Sequence, residues 1–106
     1  MTKPMPIFDC DTHWAEPPEL WTSRAPEKYK GKVFEVKSKA DRSEAWFVGN
    51  QEVAMIGPSV VAKDMSKHLY HFTVPRYADM SPATSQAAAA IKYMDEKGIA
   101  AHVVYP

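Results

Sequence analysis

Positions 7–17 of the chain read IFDCDTHWAEP, an apolar start that runs directly into polar side chains at alternating positions, Asp9, Asp11 and His13. Side chains two apart on a strand point to the same face. If this stretch leaves a buried strand, Asp11 and His13 point together into one site. A carboxylate beside an imidazole suits zinc, manganese or iron. The alternative is that Asp9 and Asp11 cap the turn after the strand and that His13 is solvated.

The elements around this stretch predict the order strand, insertion, helix, strand. Residues 6–10 read as a short buried strand. A helix is expected at 82–97, because a serine and a proline begin it, alanines fill it and Gly98 ends it. Residues 100–105 read as an apolar strand of the kind that parallel sheets bury on both faces. The two strands are expected to be parallel neighbours, since a helix usually provides the crossover between such strands.

The helix is expected to bury a stripe of side chains at helical spacing. Its members are Ala87, Ala90, Ile91 and Met94.

The insertion, at about 30–80, begins with alternating apolar and polar residues at 32–38, 44–48 and 51–56. This pattern predicts a small antiparallel β-meander with a turn at Gly49-Asn50. The rest of the insertion has no clear period and reads as loop. It contains His68 and His71, which would share a face on a helix and bind metal, or in a loop would be solvated or hydrogen-bonded.

Two blocks of sequence carry a resemblance to a known family. The first comprises DCDTH at 9–13, EP at 16–17, LW at 20–21 and RAP at 24–26; the other comprises MDEKGI at 94–99 and AHVVYP at 101–106. The first block resembles the opening of the amidohydrolase-2 family, which contains metal-dependent hydrolases and decarboxylases with a TIM-barrel fold. The other block is similar to that family's first barrel helix running into its second strand. The middle of the chain matches more loosely.

The resemblance implies an α/β fold that is an N-terminal piece of a (β/α)8 TIM barrel. A complete barrel has eight strands and about 250 residues, whereas this chain has 106 residues. We therefore expect two parallel strands and a crossover helix, with the small antiparallel β-meander inserted after the first strand. TIM-barrel active sites lie at the carboxyl ends of the strands, so the meander would overhang the site.

The family's two first-strand metal ligands fall on Asp11 and His13. Many members have histidine at the first position, and Asp11 is a departure that also occurs in a subgroup. The implied cofactor is a divalent metal, Zn²⁺ first and Mn²⁺ second. Its remaining ligands and the general base would come from later strands, and no catalytic residue is identified in this chain. Trp14, Glu16 and Arg24 are candidate substrate-binding residues, with Glu16 alternatively a general base or a helix cap.

The implied activity on a small-molecule substrate is either hydrolysis of C–N or C–O bonds or non-oxidative decarboxylation (a lyase reaction) of a small carboxylate. We expect the chain to be an N-terminal fragment of such an enzyme, inactive alone. Two alternatives remain: one half of a split barrel enzyme completed by another chain, and a non-catalytic binding or structural module. The expected partner is either the remainder of the barrel or a second copy.

Composition restricts the other partners. The net formal charge is zero, which argues against nucleic acid or a membrane surface as the main partner. The longest apolar run is shorter than the roughly 18 residues that span a bilayer, and no signal peptide is visible. The single cysteine, Cys10, is interpreted as a buried small apolar residue rather than a nucleophile. These features predict a cytoplasmic protein.

Overall fold

The computed structural model describes residues 3–57 and 74–105. Its strands are β1 (Ile7–His13), β2 (Phe34–Ser38), β3 (Glu44–Val48), β4 (Gln51–Met55) and β5 (Ile99–Tyr105), and its helix is α1 (Ala87–Lys97). Short 3-10 turns lie at Glu27–Tyr29, Tyr77–Asp79 and Pro82–Thr84. His68 and His71 lie outside the described residues.

The strands β1 and β5 form a two-stranded parallel sheet, and α1 lies between them in sequence. The first strand runs to His13 rather than ending at residue 10, because β5 continues opposite it as far as the pair His13 and Tyr105. Asp11 and His13 are therefore part of the strand, at its carboxyl end, rather than in the loop that follows.

The strands β2, β3 and β4 form an antiparallel meander in sequence order. The turn between β3 and β4 has Gly49 at a positive φ of 60°, a conformation that glycine adopts at little cost. The ammonium group of Lys37 on β2 donates a hydrogen bond of 2.7 Å to the carbonyl oxygen of Gly49. This bond ties the turn to the first strand of the meander.

The helix begins at Ala87 and not at residue 82, so the expected start was wrong. Pro82–Thr84 forms a separate 3-10 turn, and Gln86 has extended dihedrals of −119° and 117°. The carbonyl oxygen of Thr84 accepts a hydrogen bond of 2.8 Å from the N–H of Ala15. A continuous helix would give this carbonyl to the residue four positions later. The contact with Ala15 thus takes the place of a helical bond at the break.

The expected buried stripe of α1 is only partly buried. Ala90 is buried and Met94 half-buried, but Ala87 is exposed and Ile91 is 59% exposed. Two strands spaced about 4.8 Å apart make a narrow surface. Within the described structure this sheet covers only part of the helix face.

The main core lies on the meander rather than on the parallel sheet. It consists of Ala15, Trp46, Ile56, Val74 and Met80, with Val36 and Tyr77 packed against it. The ring of Tyr77 meets that of Trp46 edge-on, with centroids 6.3 Å apart. The meander is thereby held against the segment that follows β1 and the one that precedes α1.

Glu44 at the start of β3 also joins the meander to the segment before α1. Its carboxylate accepts a hydrogen bond of 2.8 Å from the N–H of Tyr77 and lies 3.3 Å from the Arg76 guanidinium. Its own N–H donates to the carbonyl oxygen of Pro75 over 2.7 Å. The meander is thus an integral, packed part of the described structure.

The apolar side chains of the parallel sheet are not buried as the sequence predicts. Phe8 is 64% exposed, and about half of the surface of Val103, Val104 and Tyr105 is also exposed. Parallel sheets are normally covered on both faces, and the described residues provide only α1 as a covering layer. Membership of a TIM barrel stays a prediction. Among the described residues, no helix combines the length and apolarity required to cross a membrane.

Candidate functional site

The structure brings Asp11 and His13 into contact at the carboxyl end of β1. The Nε2 atom of His13 lies 3.3 Å from Oδ1 of Asp11. Both side chains are open to solvent, with 54% of His13 and 87% of Asp11 exposed. The pair is therefore accessible to an ion or a substrate.

The distance between these two atoms can be tested against metal coordination. Two donors about 2.1 Å from one metal lie about 3.0 Å apart in octahedral and about 3.4 Å apart in tetrahedral geometry. The observed separation of 3.3 Å falls between these values, so the two side chains fit as neighbouring ligands of one divalent metal. The same separation suits a direct contact between a protonated imidazole and a carboxylate.

A β-bulge in β1 changes which side chains share a face. Asp9 is opposite His102 and Thr12 is opposite Val104. Two residues of β1 therefore lie between these pairs where β5 has only one. Because residues paired across a sheet lie on the same face, Asp9 and Thr12 share the face of His102 and Val104. Simple alternation, which places Asp9 on the same face as Asp11 and His13, is therefore wrong for Asp9.

Asp9 is bound to the backbone of the bulge. Its Oδ1 accepts a hydrogen bond of 3.1 Å from the N–H of Asp11, and this bond is the main reason that the pKa of the Asp9 carboxyl is lowered. The Thr12 hydroxyl lies near enough to lower that pKa further, although its Oγ1 forms no hydrogen bond of good geometry within the described residues. Asp9 is thus favoured as a carboxylate.

The three candidate substrate-binding residues are in different surroundings. Trp14 is half-buried, and its backbone N–H donates a hydrogen bond of 3.3 Å to the carbonyl oxygen of Tyr105. Glu16 uses its backbone carbonyl, which accepts a hydrogen bond of 2.7 Å from the Tyr77 hydroxyl. The guanidinium of Arg24 donates to the carbonyl oxygen of Leu20 over 3.2 Å. This bond ties Arg24 to its own turn. No hydrogen bond or ion pair between described residues brings Arg24 to the Asp11–His13 pair.

The side chains of the described residues do not complete a metal site. No group of three or more His, Cys, Asp or Glu side chains in residues 3–57 and 74–105 is placed to hold a metal ion. Asp11 and His13 are two ligands, whereas a closed structural zinc site has four. Cys10 is exposed rather than buried, which corrects the interpretation of it as a buried apolar residue.

A cavity of about 420 Å³ lies away from this pair, between the segment after β1 and the segment before α1. Its lining residues include Pro17, Glu19, Tyr77, Met80 and Gln86. Burial of the Tyr77 hydroxyl, with Glu16, Glu44 and Glu19 nearby, raises its pKa to about 12. Neither Asp11 nor His13 lines this cavity, so the described structure does not join it to the candidate ligands.

The sequence did not predict that His102 lies beside Asp9 or that Tyr77 contacts Glu16 and Trp46. His102 is a polar residue in the middle of an apolar strand, and this was a usable signal. Tyr77 lies in a stretch without periodicity and offered none. Its contacts with Glu16 and Trp46 depend on the folded chain.

The comparisons with protein families and with curated proteins add no relationship. The chain matches no protein-family model and no curated protein. The assignment to the amidohydrolase-2 family therefore stays a prediction based on the residues quoted above.

Proposed function

We propose that this chain is the N-terminal part of a metal-dependent hydrolase or decarboxylase of the amidohydrolase-2 type, and that it is inactive alone. The observation that carries the proposal is the 3.3 Å contact between Asp11 and His13 at the carboxyl end of a strand in a parallel pair. TIM-barrel enzymes place their catalytic groups at that end. A metal bound there would polarise a substrate or activate water.

The surroundings of the pair support the proposal in a second way. Both ligands are exposed, and the apolar residues of the same sheet are exposed as well. In a complete barrel, neighbouring strands and helices would cover this sheet and supply further ligands and a general base. The substrate class is a small carboxylate, amide or ester, and the proposed location is the cytoplasm.

Calorimetry with Zn²⁺ and Mn²⁺ tests the metal-binding step. Wild-type chain should bind one metal weakly, because two ligands leave most coordination positions to water. His13→Ala and Asp11→Ala should abolish this binding, whereas Cys10→Ser and Asp41→Ala should retain it. Asp41 is a suitable control because its carboxylate accepts an N–H from Ser43 in a distant turn. Binding that survives both ligand substitutions removes Asp11 and His13 from the site.

Turnover tests the enzymatic step. The chain with added Zn²⁺ or Mn²⁺ should not hydrolyse aryl esters or amides or decarboxylate hydroxybenzoates, since no general base is identified beside the Asp11–His13 pair among its described residues. In a complete parent enzyme, Asp11→Ala or His13→Ala should abolish activity and Cys10→Ser should leave most of it. Metal-dependent turnover by this chain that is lost in His13→Ala would contradict the inactive-fragment proposal.

A second candidate function is a self-sufficient binding module. The core of Ala15, Trp46, Ile56, Val74 and Met80 favours it, because this core forms without the remainder of a barrel. A sharp two-state thermal transition of a clean monomer, with no metal binding, would support this alternative.

A further inference from the structure

Asp9 lies two residues before the proposed ligand Asp11 and contacts the backbone that carries it. Its Oδ1 accepts the N–H of Asp11 over 3.1 Å. Cys10 and Asp11 have no register partner on β5, because they occupy the bulge between Asp9 and Thr12. A backbone N–H in a bulge loses its place in the ladder of strand hydrogen bonds. The carboxylate of Asp9 supplies the acceptor instead.

The second oxygen of Asp9 faces the neighbouring strand. Oδ2 lies 3.8 Å from Nε2 of His102, whose side chain is 14% exposed. The two residues are register partners, and Nε2 of His102 forms no hydrogen bond with any described residue. The Asp9 carboxylate therefore lies between the bulge on one side and β5 on the other, with its two oxygens facing different elements.

This position has a consequence for the proposed site. A bulge bends its strand and redirects the side chains that follow it, and bulges are common beside active sites. The direction of the Asp11 side chain depends on the backbone of the bulge, and the contact with His13 depends on that direction. Loss of a group that orients a metal ligand through a hydrogen bond typically lowers metal affinity about 10–100-fold.

We infer that Asp9 is a positioning residue, which holds the bulge of β1 so that Asp11 and His13 present their donor atoms to the same metal ion. The inference rests on the proposed function, because it assigns a role relative to that metal pair. Asp9 itself is not a ligand in this arrangement, since its carboxylate lies on the face of His102.

Three substitutions of Asp9 distinguish the effect of its hydrogen bond to the bulge from the effect of its negative charge. Asp9→Asn keeps a carbonyl oxygen at the same distance from the backbone and loses the charge. Asp9→Glu keeps the charge and moves the acceptor away by one methylene group, and Asp9→Ala removes both. Asp41→Ala is the matched control, because Asp41 makes the same carboxylate-to-backbone bond two residues along the chain, over 3.0 Å to the N–H of Ser43.

The first measurement is the affinity for Zn²⁺ and Mn²⁺ by calorimetry, with folding checked by amide NMR spectra. We expect Asp9→Ala and Asp9→Glu to weaken binding about tenfold or more, and Asp9→Asn and Asp41→Ala to stay close to wild type. Wild-type affinity in Asp9→Ala overturns the inference. So does the reverse order, in which Asp9→Glu binds normally and Asp9→Asn does not. If Asp9→Ala fails to fold, the comparison of Asp9→Asn with Asp9→Glu decides.

The second measurement does not require metal. Proton–proton contacts between the Asp11 and His13 side chains are followed by NMR in metal-free wild type and variants. We expect the contacts in wild type and Asp9→Asn and their loss in Asp9→Glu. If wild type binds no metal but this pattern holds, the proposed function fails and the positioning role stands. If metal binds and the contacts are the same in all variants, the positioning role fails alone.

Discussion

The Tyr77 hydroxyl donates a hydrogen bond of 2.7 Å to the backbone carbonyl oxygen of Glu16. Its ring packs edge-on against Trp46 of the meander. One side chain therefore joins the meander to the segment that follows the Asp11–His13 pair. The packing of the described structure concentrates at this junction.

Tyr77→Phe should lower the free energy of unfolding by about 1 kcal/mol, the usual net value of one hydrogen bond. The ring and its contact with Trp46 are retained, so the change isolates the hydroxyl. Urea unfolding of both proteins measures the difference. Tyr93→Phe on α1 is the control and should have little effect, because Tyr93 lies at the surface of the helix. Equal losses in the two variants would contradict the assigned role.

Tyr77 should also make the fold sensitive to alkaline pH. Burial raises its pKa to about 12, above the value of about 10 for an unfolded tyrosine. The folded state therefore favours the neutral hydroxyl, and this contribution to stability is complete below about pH 10. It is lost as the pH rises through about 12. When the free energy of unfolding is measured from neutral to alkaline pH, it should fall less in Tyr77→Phe than in wild type.

Ile56→Ala should be among the most destabilising single changes in the described core, since Ile56 is almost completely buried. Truncation of a buried isoleucine costs about 2–5 kcal/mol through lost burial and the cavity left behind. Val53→Ala is the comparison, because Val53 lies three residues earlier, on β4, but is exposed, and the change should cost about 0.5 kcal/mol or less. Chemical denaturation of the two variants should therefore give clearly different midpoints.

The open parallel sheet should make the isolated chain associate. Phe8, Val103, Val104 and Tyr105 expose apolar surface next to strand edges that no other described strand covers, and such surfaces favour contacts with other chains. Sedimentation velocity should show larger species as the concentration rises. Phe8→Lys should shift the distribution towards monomer, whereas Val53→Lys on the meander should not. A monomer at all concentrations would indicate that the sheet needs no further cover.

The local elements were largely accessible from the sequence, because they depend on short-range patterns. Alternation and a Gly-Asn turn specify the three strands of the meander, and Gly98 ends α1 in a left-handed conformation with φ of 70°. The spacing of Asp11 and His13 predicts that they point together, and they are in contact, but the backbone that carries Asp11 includes a bulge that the sequence did not predict. Hydrophobic period and turn chemistry act over a few residues, and a single sequence records them directly.

The tertiary structure alone decided the features that depend on distant residues. The bulge at Asp9 arises from the register of β1 against β5, which lies at the other end of the chain. The late start of α1 accompanies the bond from Ala15 to Thr84, and the core forms where Trp46 meets Tyr77. These arrangements are set by which elements pack together, because a pairing between strands or rings has no counterpart in the local pattern of either partner.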